Sequence, residues 1–205
     1  MKKQELDKAK HYIRDMVSGS LFVRESRIVA QSLMMNRSEE EWLSRIIADN
    51  PLHKKSSLTI IRYARTIQRR LEPLGLCFMQ TVSEVEDPFY TQLLMLALLT
   101  YTPVVGDFMS HVVAETRRIH KPCLDAYAWD DFLQDRRHNL PGLNELSEST
   151  LQKTGTNLIR TLVEAGYLDN NKNRKLLPVY VLPETRIWLR ELNCQNLEKI
   201  MECTL

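Results

Sequence analysis

The chain has 205 residues, 43% hydrophobic and 26% charged, the make-up of a globular protein long enough to bury the core of one or two domains. Only 6 Gly and 8 Pro leave little material for disordered linkers, and Cys77, Cys123, Cys194 and Cys203 show no paired spacing that would make a zinc site or a disulfide framework. The net charge of +2 excludes little by itself; its distribution along the chain is the informative quantity.

The N-terminal MKKQELDKAKHY has no apolar stretch and does not read as a secretory signal. With four unpaired thiols, the expected compartment is the reducing cytoplasm. Residues 3–17 are expected to form an amphipathic helix, with Leu6, Ala9, Ile13 and Met16 on one side and Gly19 as its terminator. A second helix is expected over Arg24–Met35 around Ile28, Val29, Leu33 and Met34, followed by a turn at Asn36-Arg37-Ser38. Ser38 and Glu41 have the spacing of a capping box, opening a helix over Glu39–Asp49 that buries Trp42, Leu43, Ile46 and Ile47.

Ser57–Leu71, with the NPLHKKS run before it, is the most distinctive stretch. No acidic residue lies between Asp49 and Glu72, yet Lys54, Lys55, Arg62, Arg65, Arg69 and Arg70 do. Without those six cations the rest of the chain carries 22 Lys+Arg against 26 Asp+Glu. Ile60, Ile61, Ala64, Ile67 and Leu71 have the spacing of one helical face, which puts Arg62, Arg65 and Arg69 on the other. A solvated helix face is one reading. The absence of acids at i,i+4 positions and the three-helix order favour a helix-turn-helix-like unit facing a polyanion. Glu72-Pro73-Leu74-Gly75 is expected to close this unit.

Pro88–Gly106 has no charged residue, and Leu93–Leu99 is continuously apolar. Polar interruptions at Thr91, Gln92, Thr100 and Thr102 favour a buried helix over a membrane span. Helices are expected over 88–101, 104–119 and 126–137, the last with Trp129 and Phe132 inward. Ser147 opens a long helix to Ala165, with Gly166 at its C-terminus. Leu151, Leu158, Ile159 and Leu162 form its core face, and Lys153, Thr156, Asn157 and Arg160 its other face. A basic turn, Asp169–Lys175, precedes LLPVYVL (Leu176–Leu182), which is expected to form a strand. Pro183 opens a last helix carrying Ile187, Trp188 and Leu192. This order matches a winged helix, with Lys172, Arg174 and Lys175 at the wing tip, and equally a plain helix-plus-hairpin cap.

Phosphate-cradling, nucleophile-elbow and zincin motifs are absent. Asp107, His111 and Glu115 share one helix face, but a single helix offers too few ligands for a metal. No cysteine has an adjacent His. The chain is expected to be no enzyme, with no cofactor, metal or small-molecule substrate.

Several stretches in order resemble one family. They are LFVRES (Leu21–Ser26), NPLHKKS with its arginine helix, Asp107-Phe108, Trp129–Phe132, Ser149–Lys153 and LVEAGYL (Leu162–Leu168). The set resembles BrxA of the bacteriophage-exclusion (BREX) defence systems. The resemblance implies a mostly helical cytoplasmic protein with a fold similar to the antitermination factor NusB. It also implies double-stranded DNA binding without known catalysis, beside other BREX proteins.

The expected architecture is all-α, NusB-like helical bundles with a small C-terminal β-hairpin. Residues 1–82 would form an N-terminal bundle with the basic helix, and residues 83–205 a C-terminal helical domain. Duplex DNA would be held by Lys54, Lys55, Arg62, Arg65, Arg69 and Arg70. Lys153, Asn157, Arg160, Lys172, Arg174 and Lys175 would form a second contact. Six neutralised phosphates would give a log K against log[salt] slope of roughly −5. An adaptor docking on an acidic protein partner and a binder of structured RNA remain the alternatives.

Overall fold

The computed structural model describes residues 2–35 and 38–204, so Asn36 and Arg37 of the expected turn lie outside it. It opens with α1 (Lys2–Ile13). This helix stops short of the expected residue 17 because Arg14 takes a left-handed backbone (φ 40°). The chain then divides into two units, Leu21–Tyr101 and Met1–Ser20 with Thr102–Leu205, rather than at residue 82.

The Leu21–Tyr101 unit contains α2 (Val23–Met35), α3 (Glu39–Asp49), α4 (Ser57–Leu71), α5 (Leu76–Glu84) and α6 (Phe89–Tyr101). Ser38 caps α3 by accepting from the Glu41 backbone N–H at 3.2 Å. The expected reciprocal half of that box is replaced, since the Glu41 carboxylate takes Arg45 at 2.8 Å. Asn50 ends α3 with φ 42°, and its side chain bonds both Lys54 N and Lys54 O at 3.0 Å, which shapes the turn into α4.

α6 is the core element of this unit. Leu93 through Leu99 are all buried, and α2, α4 and α5 pack on it. A helix apolar on every side has no face left for solvent. No single helix among the described residues is long and apolar enough to cross a membrane. α5 was not expected from the sequence; Phe78, Met79 and Val82 bury it, and it packs mainly on α2.

In the other unit, α7 (Pro103–Phe108) continues through a π-helical turn, Met109–Val113, into α8 (Ala114–Arg118). It continues with α9 (Ala128–Asn139), α10 (Glu148–Glu164), α11 (Pro183–Glu191) and α12 (Leu197–Glu202). α1 packs against the turn Pro141–Glu145 so closely that a Cβ on Gly142 would stand 2.0 Å from the Glu5 carbonyl oxygen. α10 begins at its Ser147 cap and ends before Gly166, whose φ of 78° suits the residue that stops a helix.

The expected hairpin does not form. Among the described residues there is no strand, only isolated bridges pairing Cys123 with Lys175 and Leu168 with Leu176. Leu176 N bonds Pro122 O and Leu177 N bonds Tyr167 O. Pro178 then lacks the N–H needed to extend a ladder. Without a strand pair there is no wing. In α11, Thr185 and Leu189 are buried, whereas Ile187 is 46% exposed.

Candidate nucleic-acid interface

The acid-free helix folds as its spacing requires. Ser56 Oγ accepts from Thr59 N at 3.3 Å and starts α4. Ile60, Ala64, Ile67 and Leu71 are buried against α2, α3 and α6. Arg62, Arg65 and Arg69 are exposed on the outward face, with Lys55 exposed just before the helix begins. Seven residues separate Arg62 from Arg69, roughly 10 Å of helix axis, the reach of a few phosphates on one strand.

The six cations do not stay together. Lys54 Nζ lies 2.8 Å from Glu25 Oε1 and 4.8 Å from the centre of the Tyr63 ring, and both members of that ion pair are largely buried. Arg70 is 4% exposed, with its guanidinium 5.3 Å from the centre of the Phe22 ring. Arg70 belongs to the packing of its unit, and Lys54 is half-buried and committed to Glu25.

Lys55, Arg62 and Arg69 form no ion pair among the described residues, and Arg62 rests 5.6 Å from the Tyr63 ring centre. Arg65 Nη2 is 3.6 Å from Glu39 Oε1, with 45% and 59% of the two side chains exposed. A pair that long and that wet contributes little and yields readily to a competing anion. Four of the six cations thus form one open ridge, with Leu58, 80% exposed, at its start.

The second set belongs to the other unit. Lys153, Lys172 and Lys175 are exposed. Asn157 is half-buried and donates from Nδ2 to the Met16 carbonyl at 2.6 Å, so its amide ties α10 to the turn after α1. Arg160 is 63% exposed, and its Nε donates to Glu164 Oε1 at 2.9 Å. Arg174 has φ 52° and donates from Nη1 to the carbonyls of Asp125 at 3.1 Å and Ala126 at 2.9 Å, clamping the turn to the start of α9. Asp169 Oδ1 accepts from Asn170 N and Lys175 N, which closes the same turn. The basic loop is therefore a folded turn, not a wing tip.

Of the Asp107, His111 and Glu115 triple only the first two meet, with His111 Nδ1 2.9 Å from Asp107 Oδ1. Asp107 accepts from the Tyr12 hydroxyl and sits 3.5 Å from Arg136. Burial and that hydrogen bond to Asp107 raise the Tyr12 pKa strongly. Glu115 turns to Arg118, whose hydrogen bond holds the carboxyl below its usual range. No cluster of metal-ligating side chains exists among the described residues.

Sequence spacing did not reveal one further feature, a pocket where Trp129, Arg160 and Arg174 meet. The available signal was Gly155, a poor helix former in the middle of α10. Its place is explained by contact: a Cβ there would stand 2.4 Å from Trp129 Cδ1.

Residues 10–193 match the BrxA family model. A relative from Escherichia coli O9:H4 (strain HS), "BREX protein BrxA", is 38% identical over 94% of this chain and 91% of its own length. A second protein of that name, from Paramagnetospirillum magneticum (strain ATCC 700264 / AMB-1), is 30% identical over 95% of this chain and 98% of its own. The crystal structure of an uncharacterized protein from Magnetospirillum magneticum superposes with a TM-score of 0.84 and 29% identity, covering 95% of this chain and 100% of that one. With a family match across most of its length and two curated relatives at this level of identity, the chain belongs to the BrxA family.

Proposed function

We propose that the chain is a non-catalytic component of a cytoplasmic BREX phage-defence system, working beside other BREX proteins, and that it binds double-stranded DNA mainly through phosphate contacts. The open ridge of Lys55, Arg62, Arg65 and Arg69 on one face of α4 carries this reading. Guanidinium groups fixed on a rigid helix, with only the long, exposed Arg65–Glu39 pair among the described residues to compete, suit phosphate oxygens. Lys153, Lys172 and Lys175 supply further exposed charge. Contacts of this kind set affinity and orientation rather than sequence preference.

With about four phosphates neutralised by the ridge, log K should fall with log[salt] at a slope of roughly −3.5. A gel shift of random duplex with wild type and with Arg62→Glu/Arg65→Glu/Arg69→Glu tests this, with folding checked by circular dichroism. Retained binding by a folded triple variant, or a flat salt response, refutes the reading.

The exposed Leu58 beside the ridge favours a second reading, an adaptor surface for an acidic protein partner. Failure of the isolated protein to bind any duplex would point there. The likeness to NusB belongs to the same proposal and brings structured RNA with it. Competition between matched DNA and RNA duplexes separates those two.

A further inference from the structure

Between the start of α9, the outer face of α10 and the turn at Asp169–Lys175 lies a pocket of about 630 Å³. That is within the usual size range for small-ligand sites. Its wall includes Trp129, Asp130, Gln152, Thr156, Arg160 and Arg174.

Much of this lining is already fixed in place. Gln152 Nε2 donates to Asp130 Oδ1 at 3.0 Å. Thr156 Oγ1 donates to Gln152 O at 3.0 Å, leaving its lone pairs as acceptors. Arg174 Nη1 is held by two backbone carbonyls, and Arg160 Nε by Glu164. Among the described residues, both Nη nitrogens of Arg160, Nη2 of Arg174 and the second carboxylate oxygen of Asp130 remain uncommitted.

Trp129 adds an independent sign. The residue is 5% exposed, and its indole Nε1–H has no hydrogen-bond partner. A buried donor without an acceptor costs stability, and a ligand acceptor would offset that cost. The pyrrole edge that carries this N–H lies against Gly155, which lines the same pocket.

The chemistry is mixed in a specific way. Two oriented guanidinium groups ask for an anion of phosphate type. The Asp130 carboxylate asks for an N–H donor. The indole N–H asks for an acceptor, and Ile159 adds an apolar group to the lining. Gln152 and Arg160 stand eight residues apart on α10, roughly 12 Å. That separation keeps the carboxylate and one guanidinium at different ends of the site, as a ligand with distinct anionic and ring ends requires.

We propose that this pocket binds one nucleotide, with its phosphate at Arg160 and Arg174 and its base edge toward Asp130 and the Trp129 N–H. The source is either a free mononucleotide or an unpaired nucleotide at the end of a DNA strand. The site lies within the Met1–Ser20/Thr102–Leu205 unit and does not depend on the α4 ridge.

The test is isothermal titration of the full chain with each deoxynucleoside 5′-monophosphate, the matching nucleosides and inorganic phosphate. At least one monophosphate should bind about tenfold or more tightly than both its nucleoside and phosphate. Arg160→Ala and, separately, the pocket-filling Thr156→Trp should each weaken it about tenfold. Thr156 is exposed, so the second variant keeps the test valid if the first disturbs α10. Displacement of the bound monophosphate by a duplex with an unpaired overhang, but not by a blunt one, assigns the strand end. Displacement by neither assigns the free nucleotide. Absence of binding, equal affinity for inorganic phosphate, or indifference to both substitutions overturns the proposal. Because the α4 triple variant retains this pocket, it should bind the mononucleotide like wild type even if it loses duplex binding.

Discussion

The guanidinium of Arg70 lies 5.3 Å from the centre of the Phe22 ring, and the residue is 4% exposed although it follows the outward-facing Arg69 on the same helix. One residue along a helix rotates the side chain by about 100°, enough to move it from the ridge to the packed side. Its long stem fills space there while the cation faces an aromatic ring. Arg70→Ala is therefore expected to lower unfolding free energy by about 2 kcal/mol. Duplex affinity of the folded fraction should stay within about twofold of wild type, since no phosphate contact is lost. Chemical denaturation and a salt-controlled gel shift on the same preparation check both halves. A large affinity loss without a stability loss would return Arg70 to the interface.

Gly155 makes an equally local prediction with an unusual sign. Gly→Ala inside an exposed helix normally stabilises by about 1 kcal/mol. Here the added methyl would meet the Trp129 ring at 2.4–2.5 Å, and that ring is packed against Phe108 and Phe132. Overpacking of this kind costs about 1–3 kcal/mol. Gly155→Ala should thus lower Tm by several degrees, about 2–4 °C per kcal/mol at this chain length. A rise in Tm on thermal denaturation would mean that the indole moves aside freely.

Helix positions and the cationic face of α4 were legible because both follow from local spacing. Ile60, Ala64, Ile67 and Leu71 recur at helical intervals and are all buried, so the outward place of Arg62, Arg65 and Arg69 follows geometrically. The fate of Lys54 and Arg70 was not legible. It depends on Glu25, Tyr63 and Phe22, and only the tertiary fold brings those side chains to the cations. α5 was hidden by Pro73 and Gly75, which resemble an ending, although Phe78, Met79 and Val82 carry a helical face. The strand expected over Leu176–Leu182 failed for a nonlocal reason as well. An apolar run becomes a strand only if a partner edge is present, and here pairing stops at Leu177. The Trp129 pocket required knowing that α9, α10 and the Asp169–Lys175 turn meet, which no spacing reports.

Tyr90 links α6 to α2 and sets a pH limit. Its hydroxyl donates to Val23 O at 2.6 Å and accepts from Arg27 N at 3.1 Å. Burial pushes its pKa up to about 12 from an ordinary 10, with Arg27 opposing. The neutral form is thus favoured by folding. Its stabilising contribution is complete below about pH 10 and is lost as pH rises toward 12. Burial raises Tyr12, Tyr167 and Cys203 in the same direction, so wild type should lose stability steadily across that interval. Tyr90→Phe is expected to cost about 1–2 kcal/mol at neutral pH and to flatten part of the alkaline decline. Urea midpoints at several pH values measure it. An alkaline slope unchanged by Tyr90→Phe would remove Tyr90 from the account.

Among the described residues, Glu39 is the one carboxylate within ion-pair range of the exposed α4 arginines, at 3.6 Å from Arg65 Nη2. A phosphate that engages Arg65 must displace it or tolerate it. Glu39→Gln removes that competition without touching the α4 core, and duplex affinity should rise about two- to threefold at low salt. The gain should shrink as salt screens both interactions. Glu40→Gln is the control: it removes the same charge from the neighbouring position of α3. If both variants gain equally, the effect is one of overall charge. A gain confined to Glu39→Gln, and abolished when Arg65→Ala is added, places a phosphate at Arg65. No gain in either variant would mean that DNA approaches the protein somewhere other than this face of α4.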